Sequence, residues 1–154
     1  MNRILWMGLG ALLFAWTAPA AAPGIRVQVV GGTLPELPAK SLVRLSLADA
    51  DTLFVRCAKA AELRIPYRKI TTLEYGQSVS RRYAEAILIS PILLLSKSHK
   101  HFVTLGFEDA NGKQQALVLR VEKGDIRPLL ASLEARSGRR VEFQDEEARK
   151  AIKG

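Results

Sequence analysis

The stretch HFVTLGFEDANGKQQALVLRV, residues 101 to 121, limits the fold more than any other part of the chain. Val103, Leu105 and Phe107 recur with period two, as do Leu117, Leu119 and Val121, so each run presents one apolar face. Between them Asp109-Ala110-Asn111-Gly112 carries an Asn-Gly pair, suited to the positive φ angles of a tight hairpin turn. The pattern predicts two antiparallel strands.

More short β-suited runs precede this hairpin. LVRLSL sets Leu42, Arg44 and Ser46 on one side and Val43, Leu45 and Leu47 on the other. ADAD then turns the chain into TLFVRCAK. AELRIPY places Leu63, Ile65 and Tyr67 on one face, and ITTLEYG follows Pro66 and Arg68-Lys69. Close spacing of such runs argues for an antiparallel meander. Upstream, Val27, Val29 and Val30 suit a short strand, but Gly31-Gly32, Pro35 and Pro38 punctuate it. Residues 21–40 therefore read as an extended lead-in to a single domain over 41–144.

Downstream, GDIRPLLASLEARSG reads as a helix. Asp125 is placed to cap it, because its carboxylate can accept an orphan amide hydrogen of the first turn. Pro128 is tolerated there, since those first amides lack helical acceptors. Ile126, Leu129, Leu130 and Leu133 form one apolar stripe, and Gly138 can close the helix in a left-handed conformation. Val141 and Phe143 suit a last short strand, and residues 145–154 read as a charged tail that frays or extends a helix. The expected class is mainly β (α+β): an antiparallel, partly closed barrel or strongly bent sheet of about six to seven strands, with one C-terminal amphipathic helix.

The run RIPYRKITTLEYG, with strands before and after it and one amphipathic helix near the end, resembles the small pleckstrin-homology-like domains of bacteria. Their relatives of the GRAM group share this layout. The resemblance covers about Leu42 to Phe143. It implies a curved antiparallel barrel plugged at one end by the helix, and no catalytic activity, for such domains usually bind lipids, peptides or proteins. Members that grip phosphoinositide headgroups do so with Lys and Arg around the first hairpin loop. Here that loop is residues 48–51 and carries Asp49 and Asp51, so those roles pass to no residue of this chain.

The N-terminus has its own grammar. Arg3 gives a positive start, Ile4 to Trp16 an apolar core, and Ala18-Pro19-Ala20 a small-residue cleavage site. That predicts a secretory signal over residues 1–20, with a cut there or a few residues later. An uncleaved anchor is the alternative, but the core is shorter than the ~20 residues a spanning helix needs. The expected destination is periplasmic or extracellular. Cys57 is the one cysteine among 154 residues, so neither an intramolecular disulfide nor a multi-cysteine metal site is available. Its strand-like neighbours suggest a small buried residue, a reactive or pairing thiol being the other reading.

The sequence offers little catalytic chemistry. No Gly-rich phosphate loop, GxSxG or SxxK pattern occurs. His99 and His101, the two histidines, face one way on a strand, but two ligands without a third make a poor metal site. The paired acids lie in a turn and a tail, where nothing desolvates them for acid catalysis. No enzyme, cofactor or metal is expected. The net charge of +8 comes from scattered basic residues without an aromatic ladder, which disfavours nucleic acid.

One segment stands apart. In RRYAEAILISPILLLSKSHKH an apolar run, Ala86 to Leu95, is flanked by Arg81, Arg82, Lys97, His99, Lys100 and His101. Ten residues cannot span a bilayer, and Pro91 breaks an interfacial helix. Three readings stay open: a core strand, an exposed patch for a protein partner, and contact with an anionic membrane surface. The function expected is an exported, non-enzymatic module holding a protein or peptide, the alternative being a peripheral membrane protein that uses residues 81–101.

Overall fold

The expected hairpin forms, with a longer loop. β6 (His101–Glu108) and β7 (Gln114–Val121) pair from His101 opposite Val121 to Glu108 opposite Gln114. The structure, a computed structural model, describes residues 24–78, 100–144 and 146–153. Within the loop Gly112 alone takes a positive φ, 76°, while Asn111 does not. The tight Asn-Gly turn is replaced by a wider one because Asp109 organises it. Its Oδ1 accepts the amides of Asn111 at 2.8 Å and Lys113 at 2.9 Å, and its carbonyl accepts that of Gly112.

The other strands are β1 (Ile25–Gly32), β2 (Leu42–Ser46), β3 (Thr52–Cys57), β4 (Leu63–Pro66), β5 (Ile70–Gly76) and β8 (Glu142–Phe143). A 3-10 turn, Tyr67–Lys69, joins β4 to β5. Among the described residues these make one sheet of eight strands in the order β4-β3-β2-β1-β7-β6-β5-β8. Neighbours run antiparallel except β5 and β8, where Glu74 and Tyr75 pair in parallel with Glu142 and Phe143. Of the expected mainly β fold, a partly closed barrel or strongly bent sheet of six or seven antiparallel strands, the β-rich class stands; the strand count, the wholly antiparallel pairing and the barrel are corrected. Among the described residues the sheet is mixed, has one more strand, and does not close end to end.

It is nevertheless strongly curved. β4 and β5 stand six places apart in the strand order, which in a flat sheet is about 29 Å. Only the three residues of the 3-10 turn separate Pro66 from Ile70, and four Cα steps span at most about 15 Å. The ends of β4 and β5 must therefore approach each other round the inside of the curve. They do not pair, because Pro66 and the 3-10 turn redirect the chain and β5 pairs with β6 instead.

Helix α1 (Lys123–Ser137) packs into the concave side, touching the 3-10 turn and β5. Its stripe Ile126, Leu129, Leu130 and Leu133 is buried, as the spacing predicts. These side chains share one cluster with Leu45, Leu53, Ile65, Leu73, Leu105, Leu117 and Leu119. Gly138 ends the helix with φ 68° and its amide bonded to the Glu134 carbonyl. The start differs from expectation. The helix begins three residues earlier, directly after β7, with Glu122 at the cap and no side-chain capping bond. Asp125 instead lies in the first turn, where its charge suits the helix dipole. Pro128 then falls beyond the first turn and leaves the Gly124 carbonyl without its helical donor.

Two terminal stretches are more integral than their composition suggests. β1, expected as a lead-in, lies mid-sheet between β2 and β7. Its glycines mark close approach: a Cβ on Gly32 would sit 2.8 Å from the Ala116 carbonyl oxygen. A bulge between Val29 and Gly31 absorbs the irregularity. The stretch read as a charged tail contains helix α2 (Glu146–Lys153), whose Ala148 is fully buried and whose Ile152 packs on the core. The signal segment and residues 79–99 lie outside the described residues.

Candidate cationic face

β1 to β4 bury one face and leave the other to solvent, and sheet register decides what that convex face displays. Arg26 stands opposite Arg44, and Arg44 opposite Arg56, so three arginines line up across β1, β2 and β3. Ser46, Phe54 and Arg64 form a second row across β2, β3 and β4. Leu42, Gln28 and Arg120 form a third across β2, β1 and β7. Because paired residues share a face and alternate ones recur on it, all three rows lie on the same face, where Ser46 is covered and the others reach solvent wholly or in part.

Such a row has an electrostatic cost. Directly opposed residues on antiparallel strands are about 5 Å apart at Cα, and like charges there repel. Arg56 is relieved by Glu62, whose carboxylate accepts from its Nε and also pairs with Arg64 Nε at 3.4 Å. Arg56 and Arg64 further hold their guanidiniums 5.9 and 5.6 Å from the centre of the Phe54 ring, two cation–π contacts on one aromatic side chain. The Arg56 hydrogen bond is the chief reason that Glu62 is held below the usual carboxylate range, with the charges of both arginines adding to it. Arg26 and Arg44 form no ion pair among the described residues. Arg44 is held by its stem, for a Cβ on Gly24 would lie 2.5 Å from its Cγ.

At the border of this face Arg26, Val27, Gln28, Leu42, Arg120 and Glu122 line a shallow cleft of about 310 Å³. Arg120 Nη1 donates to Gln28 Oε1 at 3.5 Å. Leu42 is 74% exposed, the one large hydrophobic side chain so displayed among the described residues. The face thus offers five guanidiniums, an aromatic ring and an apolar knob, with Glu62 and Glu122 as nearby acids.

Of the residues singled out in the sequence, Arg81, Arg82, Lys97 and His99 lie outside the described residues. Lys100 is half-buried just before β6, and His101 opens that strand. There its ring stacks on Tyr75, centroids 6.0 Å apart, and its Nδ1 lies 2.7 Å from the Tyr75 hydroxyl. His101 is engaged with the core. The 48–51 loop is self-bonded, with Asp49 Oδ1 accepting the amides of Asp51 and Thr52. Cys57 is half-buried at the end of β3, packed against the core and free of disulfide. No group of three or more His, Cys, Asp or Glu side chains among the described residues could hold a metal. No helix among them is long and apolar enough to cross a membrane.

Sequence reading missed the arginine rows because register, not spacing along the chain, aligns them. The alternation of LVRLSL did carry a signal, since Arg44 falls between core positions. No family model matches the chain, and no curated protein matches it.

Proposed function

We propose that this chain is a non-enzymatic binding module that holds an acidic segment of a protein partner on the convex face of β1–β4. The observation that carries the reading is the unbroken row Arg26–Arg44–Arg56, a like-charge alignment that folding alone has no reason to keep. Arginine, an aromatic ring and an exposed Leu42 are the kinds of side chain that anchor protein interfaces, and guanidiniums match carboxylates bidentately. Edge pairing, the other general mode for a sheet, has little backbone to use. β4 offers four residues, ending at Pro66, and β8 offers two. The resemblance to pleckstrin-homology-like domains points toward binding without chemistry, and the signal-like N-terminus toward a partner outside the cytoplasm.

Calorimetric titration of the whole chain with polyglutamate, at low and high salt, tests this. Changing Arg26 and Arg44 to Ser should abolish most of the heat, while changing the exposed Lys59 and Arg127 to Ser, an equal loss of charge, should not. Equal losses in both pairs would reduce the effect to net charge and remove the proposal. Binding to anionic phospholipid vesicles in place of polyglutamate would transfer the face to a membrane role.

A further inference from the structure

At the seam where β4 turns toward β5, a second concavity of about 390 Å³ is lined by Ala50, Asp51, Thr52, Pro66, Tyr67, Arg68 and Arg136. It adjoins the end of the second row, since its Thr52 and Pro66 pair two places along β3 and β4 from Phe54 and Arg64, but it is built differently. Tyr67 forms part of its wall and is only 2% exposed; the Arg136 guanidinium is the donor beside its buried hydroxyl, whose own hydrogen meets no acceptor among the described residues. A buried donor left unpaired is costly, and native folds rarely keep one without a use. The Tyr67 amide donates to the Asp51 carbonyl at 2.8 Å and fixes the backbone here, while the exposed Arg136 side chain donates to the Asp49 carbonyl by a surface bond it can exchange for a ligand. The Arg136 guanidinium lies over the Tyr67 ring, 5.5 Å from its centre, and so roofs the hydroxyl. Arg68 is exposed and forms no ion pair among the described residues.

We infer that this seam cleft binds a carboxylate, with Arg68, Arg136 and the Tyr67 hydroxyl as donors and Asp51 receiving an ammonium or hydroxyl on the same ligand. Two guanidiniums match a carboxylate in bidentate fashion. The Asp51 carboxylate in the same wall disfavours a dianionic phosphate and suits a group carrying a donor beside its acid. Drawn toward the ligand, Arg136 would uncover the hydroxyl it now covers. Burial raises the affinity of the Tyr67 oxygen for its proton, with Arg136 opposing, so the group remains a neutral donor at physiological pH. A free amino acid and the C-terminal residue of a peptide share this chemistry.

The test titrates the whole chain with L-alanine, trialanine, trialanine amide and inorganic phosphate, followed by NMR chemical shifts. Saturable shifts at Asp51, Tyr67 and Arg68 with L-alanine or trialanine, and none with the amide, are expected. Response to trialanine alone assigns the peptide terminus, and response to both assigns the free acid as well. Tyr67→Phe, which removes an unpaired donor and leaves the fold intact, should weaken binding about tenfold or more. Equal binding of the amide, preference for phosphate, no saturable shifts with either carboxylate, or unchanged affinity in Tyr67→Phe would overturn the inference.

Discussion

At the scale of single residues, Glu62 acts as a brake on the cationic face. It occupies two of the five guanidiniums and is held ionised below the usual carboxylate range by the Arg56 hydrogen bond. Glu62→Gln should therefore tighten polyglutamate binding several-fold at pH 7, read by the same calorimetry; weaker binding would mean that Glu62 positions the arginines more than it neutralises them. Asp109 makes a prediction about acid. Gln115 and the Lys113 amide hold its carboxyl below its ordinary value. A group whose folded pKa is depressed contributes fully above its unfolded pKa, near 3.9, and loses that contribution as pH falls through the folded one. Asp109→Ala should lower the thermal midpoint at pH 7, and the gap to the unaltered chain should narrow as the pH drops below about 4. A gap that stays constant would assign the loop's stability to geometry alone.

At the scale of elements, β1 is the piece on which the sheet depends, since it alone pairs β2 with β7. A chain beginning at residue 41 should lose dispersed amide NMR signals and cooperative melting; a cooperative melt would restore the lead-in reading. Within α1, Leu129→Ala should cost about 2–5 kcal/mol in denaturant unfolding, because the side chain is fully buried in the cluster shared by helix and sheet. The hairpin, the α1 stripe and its Gly138 stop were legible in the sequence, because period and turn chemistry are local and unopposed there. β1 was not, because its glycines look like loop punctuation until β7 is seen to press against Gly32. The start of α1 was not either, since Asp125 satisfies a capping pattern while the end of β7 decides where the helix can begin. The parallel pairing of β8 with β5 joins residues too distant in sequence for any local pattern to announce.

At the scale of the whole molecule, the curved sheet divides its chemistry by side. The concave side is filled by α1 and the shared core, and the convex side of β1–β4 carries the aligned arginines. The candidate site was visible in the sequence only as basic residues on alternate strand positions. Its meaning arose when register set Arg26, Arg44 and Arg56 side by side. Changing Arg26 and Arg44 together to Ser should leave stability within about 0.5 kcal/mol or raise it, since the row loses repulsion and no ion pair. The most direct measurement maps amide chemical shifts of the whole chain during titration with polyglutamate. The account predicts saturating shifts concentrated at Arg26, Gln28, Leu42, Arg44, Phe54 and Arg56. Shifts spread evenly over the basic surface, or none on β1–β3, would contradict it.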